Sequence, residues 1–184
     1  MISECILEGQ RVRLRPVEER DLPLFVRWLS DPEVRRWLSI SEGLELTAES
    51  EWEWYAEMRG DLTRVVWCIE NTDGQPIGNV DLQEIDETNG RASLGIFVGE
   101  KELWGHGYGT DATKEVLRYA FRELDLRRIQ LHVDEDNRRG IRCYEKCGFV
   151  REGLLRAYRL RDGQPVNVAV MSILREEFEV QPWR

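Results

Sequence analysis

Gly105, Gly107 and Gly109 stand at alternate positions in the stretch LWGHGYGTDA, after an apolar run that ends at Val98 and before a helical pattern. Bare backbone that opens a helix suits an anion, because successive N–H groups can point at a ligand and the helix start adds partial positive charge. Phosphate is the natural guest. The spacing is G-x-G-x-G, which differs from the dinucleotide fingerprint G-x-G-x-x-G, and no Lys-Ser/Thr pair follows to make a Walker loop. Both nucleotide-binding readings drop out. From this loop alone, a glycine-rich helix cap without any ligand stays open.

A second segment, DNRRGIRCYEKCGF (136–149), carries an asparagine, a short helical stretch with Tyr144, and Gly148-Phe149 entering an apolar run. Taken together, the two segments resemble the GNAT superfamily of acyl-CoA-dependent N-acetyltransferases. The family's pyrophosphate loop, [Q/R]-x-x-G-x-[G/A], is matched by the run from Trp104 to Gly109, with Trp104 where glutamine or arginine is usual. That substitution is frequent in the branch that includes spermidine and ribosomal-protein N-terminal acetyltransferases. The opening EGQRVRLRPVEERDL and the ending GFVREGLLRAYRLRDGQPVNVAVMSIL look like the same branch, so the resemblance spans residues 8 to 175.

The resemblance implies acetyl-CoA as cofactor and an amine as acceptor, joined by direct attack in a ternary complex. Such a step needs a deprotonated amine, donors for the developing oxyanion and a proton for the departing thiolate. On the family's pattern Trp104, Gly105, His106, Gly107, Tyr108, Gly109 and Thr110 hold the pyrophosphate, with a ring N–H from His106 where relatives place lysine or arginine. The backbone around Phe97 and Val98 pairs with the pantetheine arm and supplies the oxyanion N–H. Asn137 bonds the arm, Gly140 and Lys146 lie on the same cofactor-binding helix, and Tyr144 donates to sulfur. Gly140 stands where serine or alanine is commoner. For Tyr144 the alternative is an aromatic packed on a core-facing helix.

The general base is open among three residues. On RIQLHV, Ile129, Leu131 and Val133 face one way, so His132 faces the other and can look into a cleft. An imidazole titrates at about 6.5, which suits proton removal at neutral pH. Asp81 and Glu84 on GNVDLQE are the rivals, and His132 as a plain surface residue is the alternative. On the family's pattern acceptor recognition falls to the first two helices and their loop, residues 28–60 here, where Trp28, Trp37, Trp52, Trp54 and Tyr55 stand among Glu33, Glu42, Glu45, Glu49, Glu51, Glu53 and Glu57. Aromatic faces and carboxylates suit a cation; a solvated acidic helix with tryptophans in the core explains them too.

The elements that must position these residues follow from periodicity. RVRLRPV reads as a strand, EERDLPLFVRWL as a helix, and a second helix starts at the capping pattern Thr47-Ala48-Glu49-Ser50. Strands follow at 64–70, 76–85 and 91–98, then the helix DATKEVLRYAFREL, the strand RIQLHV, the helix 139–147, and two strands around the turn Asp162-Gly163. This order predicts an α/β (α+β) fold, a mixed, mostly antiparallel central sheet of about seven strands with helices on both faces. The 184 residues fit a single N-acetyltransferase domain, 1–184.

Composition narrows the partners. The formal charge is -9 and no basic stripe occurs, so no nucleic acid is expected, and an amine acceptor, small molecule or peptide, suits the field better. There is no run of about 18 apolar residues, and an acidic residue stands where a signal peptide would be basic, so no membrane and a cytoplasmic location are expected. Four cysteines without a CxxC pair and two histidines give no metal site, and Cys143 and Cys147 read as packed thiols. The acceptor stays open among a polyamine, a protein N-terminus and another small amine such as an aminoglycoside, and a homodimer stays open as well. An inactive acyl-CoA-binding sensor with the same fold is the alternative function.

Overall fold

Val65, Trp67 and Ile69 alternate with Val66 and Cys68 along one strand, and all five are at most 2% exposed. Successive strand residues point to opposite faces, so the sheet holding them is covered on both sides. The computed structural model describes residues 5–38 and 46–184. Its sheet contains β1 (Leu7–Glu8), β2 (Val12–Pro16), β3 (Val65–Asn71), β4 (Pro76–Asp86), β5 (Arg91–Val98), β6 (Arg128–Asp134), β7 (Val150–Arg161) and β8 (Gln164–Leu174). They lie in the order β1-β2-β3-β4-β5-β6-β8-β7, and only β5 and β6 are parallel neighbours.

Two apolar clusters cover the faces. On one side α4 (Tyr108–Arg122) presents Ala112, Val116, Leu117 and Ala120 to Trp67, Val80 and Leu131, and α6 (Arg175–Glu179) adds Phe178. On the other, α1 (Leu22–Ser30) and α3 (Ala48–Gly60) bring Phe25, Trp28 and Tyr55 onto Val66 and Cys68. Each large apolar side chain buried this way contributes about 1.5–3 kcal/mol. The entry to α1 is fixed by a buried ion network: Arg15 donates to Asp21 at 2.6 and 2.8 Å and to Glu70 at 2.6 Å. Paired in this way, the guanidinium is held charged out of water.

The sheet has eight strands where about seven were expected; the extra one, β1, has two residues, too few to show an alternation. Two short helices also escaped periodicity: α2 (Pro32–Arg35), a single turn capped by Asp31, and α6. The helix read from Asp111 begins at Tyr108, because Gly107 in the left-handed region serves as its cap. The cap at Thr47 is as read, with Ser50 N–H donating to Thr47 Oγ1 at 3.1 Å. The Asp162-Gly163 turn has φ of 51° and 71°, the left-handed pair of a tight hairpin. Among the described residues no helix is long and apolar enough to cross a membrane.

Candidate functional site

β5 and β6 share a parallel register only from Arg91–Ser93 against Arg128–Gln130. Their later residues line a cavity of about 380 Å³, with Ile96, Phe97 and Val98 on one wall and His132, Val133 and Asn137 on the other. The register decides which backbone groups face that gap. Gly99 N–H donates to the Ile77 carbonyl at 2.8 Å and Val98 stands opposite Gly78. In an antiparallel ladder this alternation bonds Phe97 to β4 and turns the N–H and C=O of Ile96 and Val98 toward the gap. Trp104 Nε1 donates to the Val98 carbonyl at 2.7 Å. The backbone groups that face the gap are thus those of Val98 and of Ile96, which the sequence did not single out, while those of Phe97 are taken up by β4. Phe97 instead turns its ring edge-on to Phe25 and Trp28, with centroids 6.4 and 6.2 Å away.

The glycine loop closes one end of the cavity. Gly105 and Gly107 have φ of 82° and 92°, a region that costs side chains, above all β-branched ones, considerable strain. A Cβ on Gly105 would meet nothing within 4 Å, and one on Gly107 would meet only the Arg11 side chain at 3.7 Å. Asp111, in the first turn of α4, accepts from Arg11 N–H at 2.7 Å and so pins that arginine's turn beside the loop. A Cβ on Gly109 would lie 3.8 Å from Cys143 and 3.9 Å from Val98, so the start of α4, the helix α5 (Arg138–Lys146) and β5 converge here. Tyr108, Gly109 and Thr110 line the cavity; His106 is exposed and does not.

His106 was expected to reach the phosphates by a ring N–H; the cations that line the cavity stand on α5 instead. Arg139, Arg142 and Lys146 line the cavity, and the Arg139 guanidinium lies 3.8 Å from the Trp104 ring centroid. Asn137 caps α5, its Oδ1 accepting from Gly140 N–H at 2.9 Å. That cap accounts for Gly140, since a Cβ there would come within 2.8 Å of the Asn137 amide nitrogen. Among the described residues the amide nitrogen of Asn137 has no hydrogen-bond partner and is left to meet a ligand. Cys147 is buried in the core as expected, whereas Cys143 lines the cavity 3.3 Å from Thr110 Oγ1. Its neighbours, Cys147 first and then Thr110, hold the Cys143 thiol below the ordinary thiol range.

A second cavity, of about 630 Å³, opens on the α1 and α3 side. Trp37, Leu38, Ile96, Phe97, His132 and Tyr144 line both cavities and form their junction. Tyr144 packs edge-on to Phe149 with centroids 5.8 Å apart. Among the described residues its hydroxyl has no protein partner, and burial, followed by the Cys143 and Cys147 thiols, pushes the phenol up. It is a proton donor held at the junction. The His132 ring is exposed there and stands 5.7 Å from the Tyr158 ring.

The other candidate bases line the second cavity, Asp81 buried and Glu84 exposed. Asp81 is 4% exposed and takes Arg64 Nε at 3.1 Å; burial pushes its carboxyl up and Arg64 opposes that. Glu84 sits on a bulge of β4 with φ of 53°, where Ser93 Oγ donates to it at 2.8 Å. Of the acidic and aromatic residues read for the acceptor, Trp28 and Tyr55 are core and Trp52 is exposed, while Trp37 and Trp54 line the cavity. Glu33 pairs with Lys101, Glu49, Glu53 and Glu57 are exposed, and Glu51 is buried on the cavity wall. Glu42 and Glu45 lie outside the described residues.

The family model of the acetyltransferase (GNAT) domain matches residues 11–150. The chain is 30% identical to spermidine N(1)-acetyltransferase of Escherichia coli (strain K12) over 91% of this chain and 88% of that protein. It is 29% identical to uncharacterized N-acetyltransferase p20 of Bacillus licheniformis over 94% of this chain and 97% of that one. The crystal structure of spermidine N-acetyltransferase from Vibrio cholerae in complex with CoA and spermine superposes with a TM-score of 0.84 at 26% identity, covering 91% of this chain and 98% of that chain.

Proposed function

The chain belongs to the GNAT acetyltransferase family and is an acetyl-CoA-dependent N-acetyltransferase, and from that premise we propose that it acetylates a cationic amine, a polyamine first among them, by direct attack where the two cavities meet. The observation that carries this reading is the junction itself. Six residues line both cavities, and two of them, Tyr144 and His132, are the proton-exchanging groups that the transfer requires. The relative named for spermidine and the neighbour solved with spermine support a polyamine, as do the carboxylates Glu51, Asp81 and Glu84 in the second cavity.

The cofactor-binding end fits a phosphate-bearing ligand on its own chemistry. Left-handed glycines aim N–H groups outward at the start of α4, and Arg139, Arg142 and Lys146 flank them. Gly105, Gly107, Tyr108, Gly109 and Thr110 take the phosphates with these cations, and Trp104 locks the loop to β5 through the Val98 carbonyl. The amide nitrogen of Asn137 and the free Ile96 groups orient the arm. Bound there, acetyl-CoA supplies the thioester carbonyl that an amine attacks. Val98 and Ile96 N–H groups face the gap as donors for the oxygen on which charge develops. His132 takes the amine's proton, being the candidate base at the junction, whereas Asp81 is tied to Arg64 and Glu84 to Ser93. Tyr144 gives its proton to the departing sulfur.

A sensor without activity needs the glycine loop but has no use for an unpartnered phenol at the junction. Thiol release from acetyl-CoA with a panel of polyamines, short diamines, a basic peptide and an aminoglycoside separates the two, with mass spectrometry of the amine. The expected result is one added acetyl group on a polyamine. Acetyl-CoA binding with no acetylated amine across the panel supports the sensor instead.

A further inference from the structure

We propose that Glu51 selects acceptors that carry a second positive charge remote from the reacting nitrogen, which makes the pocket specific for diamines and polyamines over monoamines. This rests on the amine-acetylating reading above and adds the residue that reads the substrate. The mutual bonds of Thr47 and Ser50 fix the first turn of α3, and the turn sets Glu51 and Tyr55, four residues apart, on the face toward the sheet. Of the described glutamates in residues 28–60, Glu51 alone is buried, at 5% exposure, and its carboxylate has no hydrogen-bond or ion-pair partner among the described residues.

An ionised carboxylate in that position is costly unless something pairs with it. Among the described residues no protein group does. Of the described residues lining the cavity the one arginine or lysine is Arg64, which gives both Nε and a terminal nitrogen to Asp81 and lies 5.8 Å from the Trp54 ring centroid. Burial accordingly pushes the Glu51 carboxyl up. Glu51 opens on the second cavity only and is not one of the six junction residues. The nitrogen that attacks at the junction must be neutral when it does so. The charge that Glu51 meets is therefore on a different nitrogen of the same molecule, an ammonium that remains protonated throughout.

The test compares 1,5-diaminopentane with pentylamine, which share a chain length and differ in the second ammonium. The wild-type protein is expected to favour the diamine in kcat/KM by about 10- to 100-fold, the scale of one hydrogen bond to a charged group. Glu51→Gln, which keeps the shape and removes the charge, is expected to erase that ratio while acetyl-CoA affinity by calorimetry stays the same. Calorimetric binding of the diamine to the CoA-loaded protein is expected to fall in parallel. An unchanged ratio in the variant, or no preference in the wild type, overturns the role of Glu51 with the acetylating function intact. Absence of any acetylated amine overturns that function, and the calorimetry then decides on Glu51 alone, equal diamine binding by both proteins sinking it. Should the amide disturb α3, Glu51→Met is read in the same way.

Discussion

Among the described residues Tyr144 has a hydroxyl without a protein partner, at the junction of two cavities, and burial favours its protonated form. Tyr144→Phe removes one oxygen and no packing volume, so turnover should fall by about 10²-fold, the scale of a general acid. Because no internal hydrogen bond is lost, melting temperature and acetyl-CoA affinity should hold; a drop in melting temperature with normal turnover would make the residue a scaffold. Cys143 is the other polar group that the sequence undervalued, since a thiol four residues from Cys147 on a helix looks like packing until the start of α4 is seen beside it. Glu51 also bears on stability. Its folded carboxyl is raised, so between the ordinary carboxylate range and that raised value the unfolded chain ionises first and stability falls as pH climbs. Glu51→Gln should then melt above the wild type at pH 8, and the difference should vanish near pH 4.

At the scale of elements, the loop that caps α4 depends on backbone conformation. With φ of 92° at Gly107, valine would be forced into a region that costs it several kcal/mol or would drag the cap out of place. Gly107→Val should weaken acetyl-CoA binding by at least about 10-fold in calorimetry while the core is left standing, since the added side chain has open space apart from Arg11. Undiminished affinity would reduce the loop to a structural cap. These elements were legible in the sequence where their periodicity ran for two turns or several alternations: β3 to β6, α1, α3 and α4 all lie within a few residues of their reading. The two-residue β1 and the short helices α2 and α6 carry no period to read. The site was legible as motifs, but not as directions. Which of Phe97 and Ile96 turns its backbone to the gap depends on the pairing of β5 with β4, and that Arg139 on α5 reaches Trp104 while His106 stays exposed depends on how two helices meet. Neither is local in the chain.

Across the whole molecule, one sheet is held together around a gap between its two parallel strands, and the gap is where the proposed chemistry lies. Its far side leans on the Arg15 network: Asp21 is 1% and Glu70 is 6% exposed, so Arg15→Met would leave the buried Asp21 without its cation and Glu70 with Arg13 alone, at 3.5 Å. Chemical denaturation should show a loss of about 3–5 kcal/mol, the usual cost of breaking a buried pair from one side; a loss below about 1 kcal/mol would mean the network is solvated. In the proposed reaction both substrates meet at one junction and react directly. Initial rates of thiol release, measured with acetyl-CoA and spermidine varied together, test it most directly. The account predicts double-reciprocal lines that intersect, as a ternary complex requires, with Cys143→Ser as active as the wild type. Parallel lines, the pattern of an acetylated enzyme formed before the amine binds, or loss of turnover in Cys143→Ser, would contradict it.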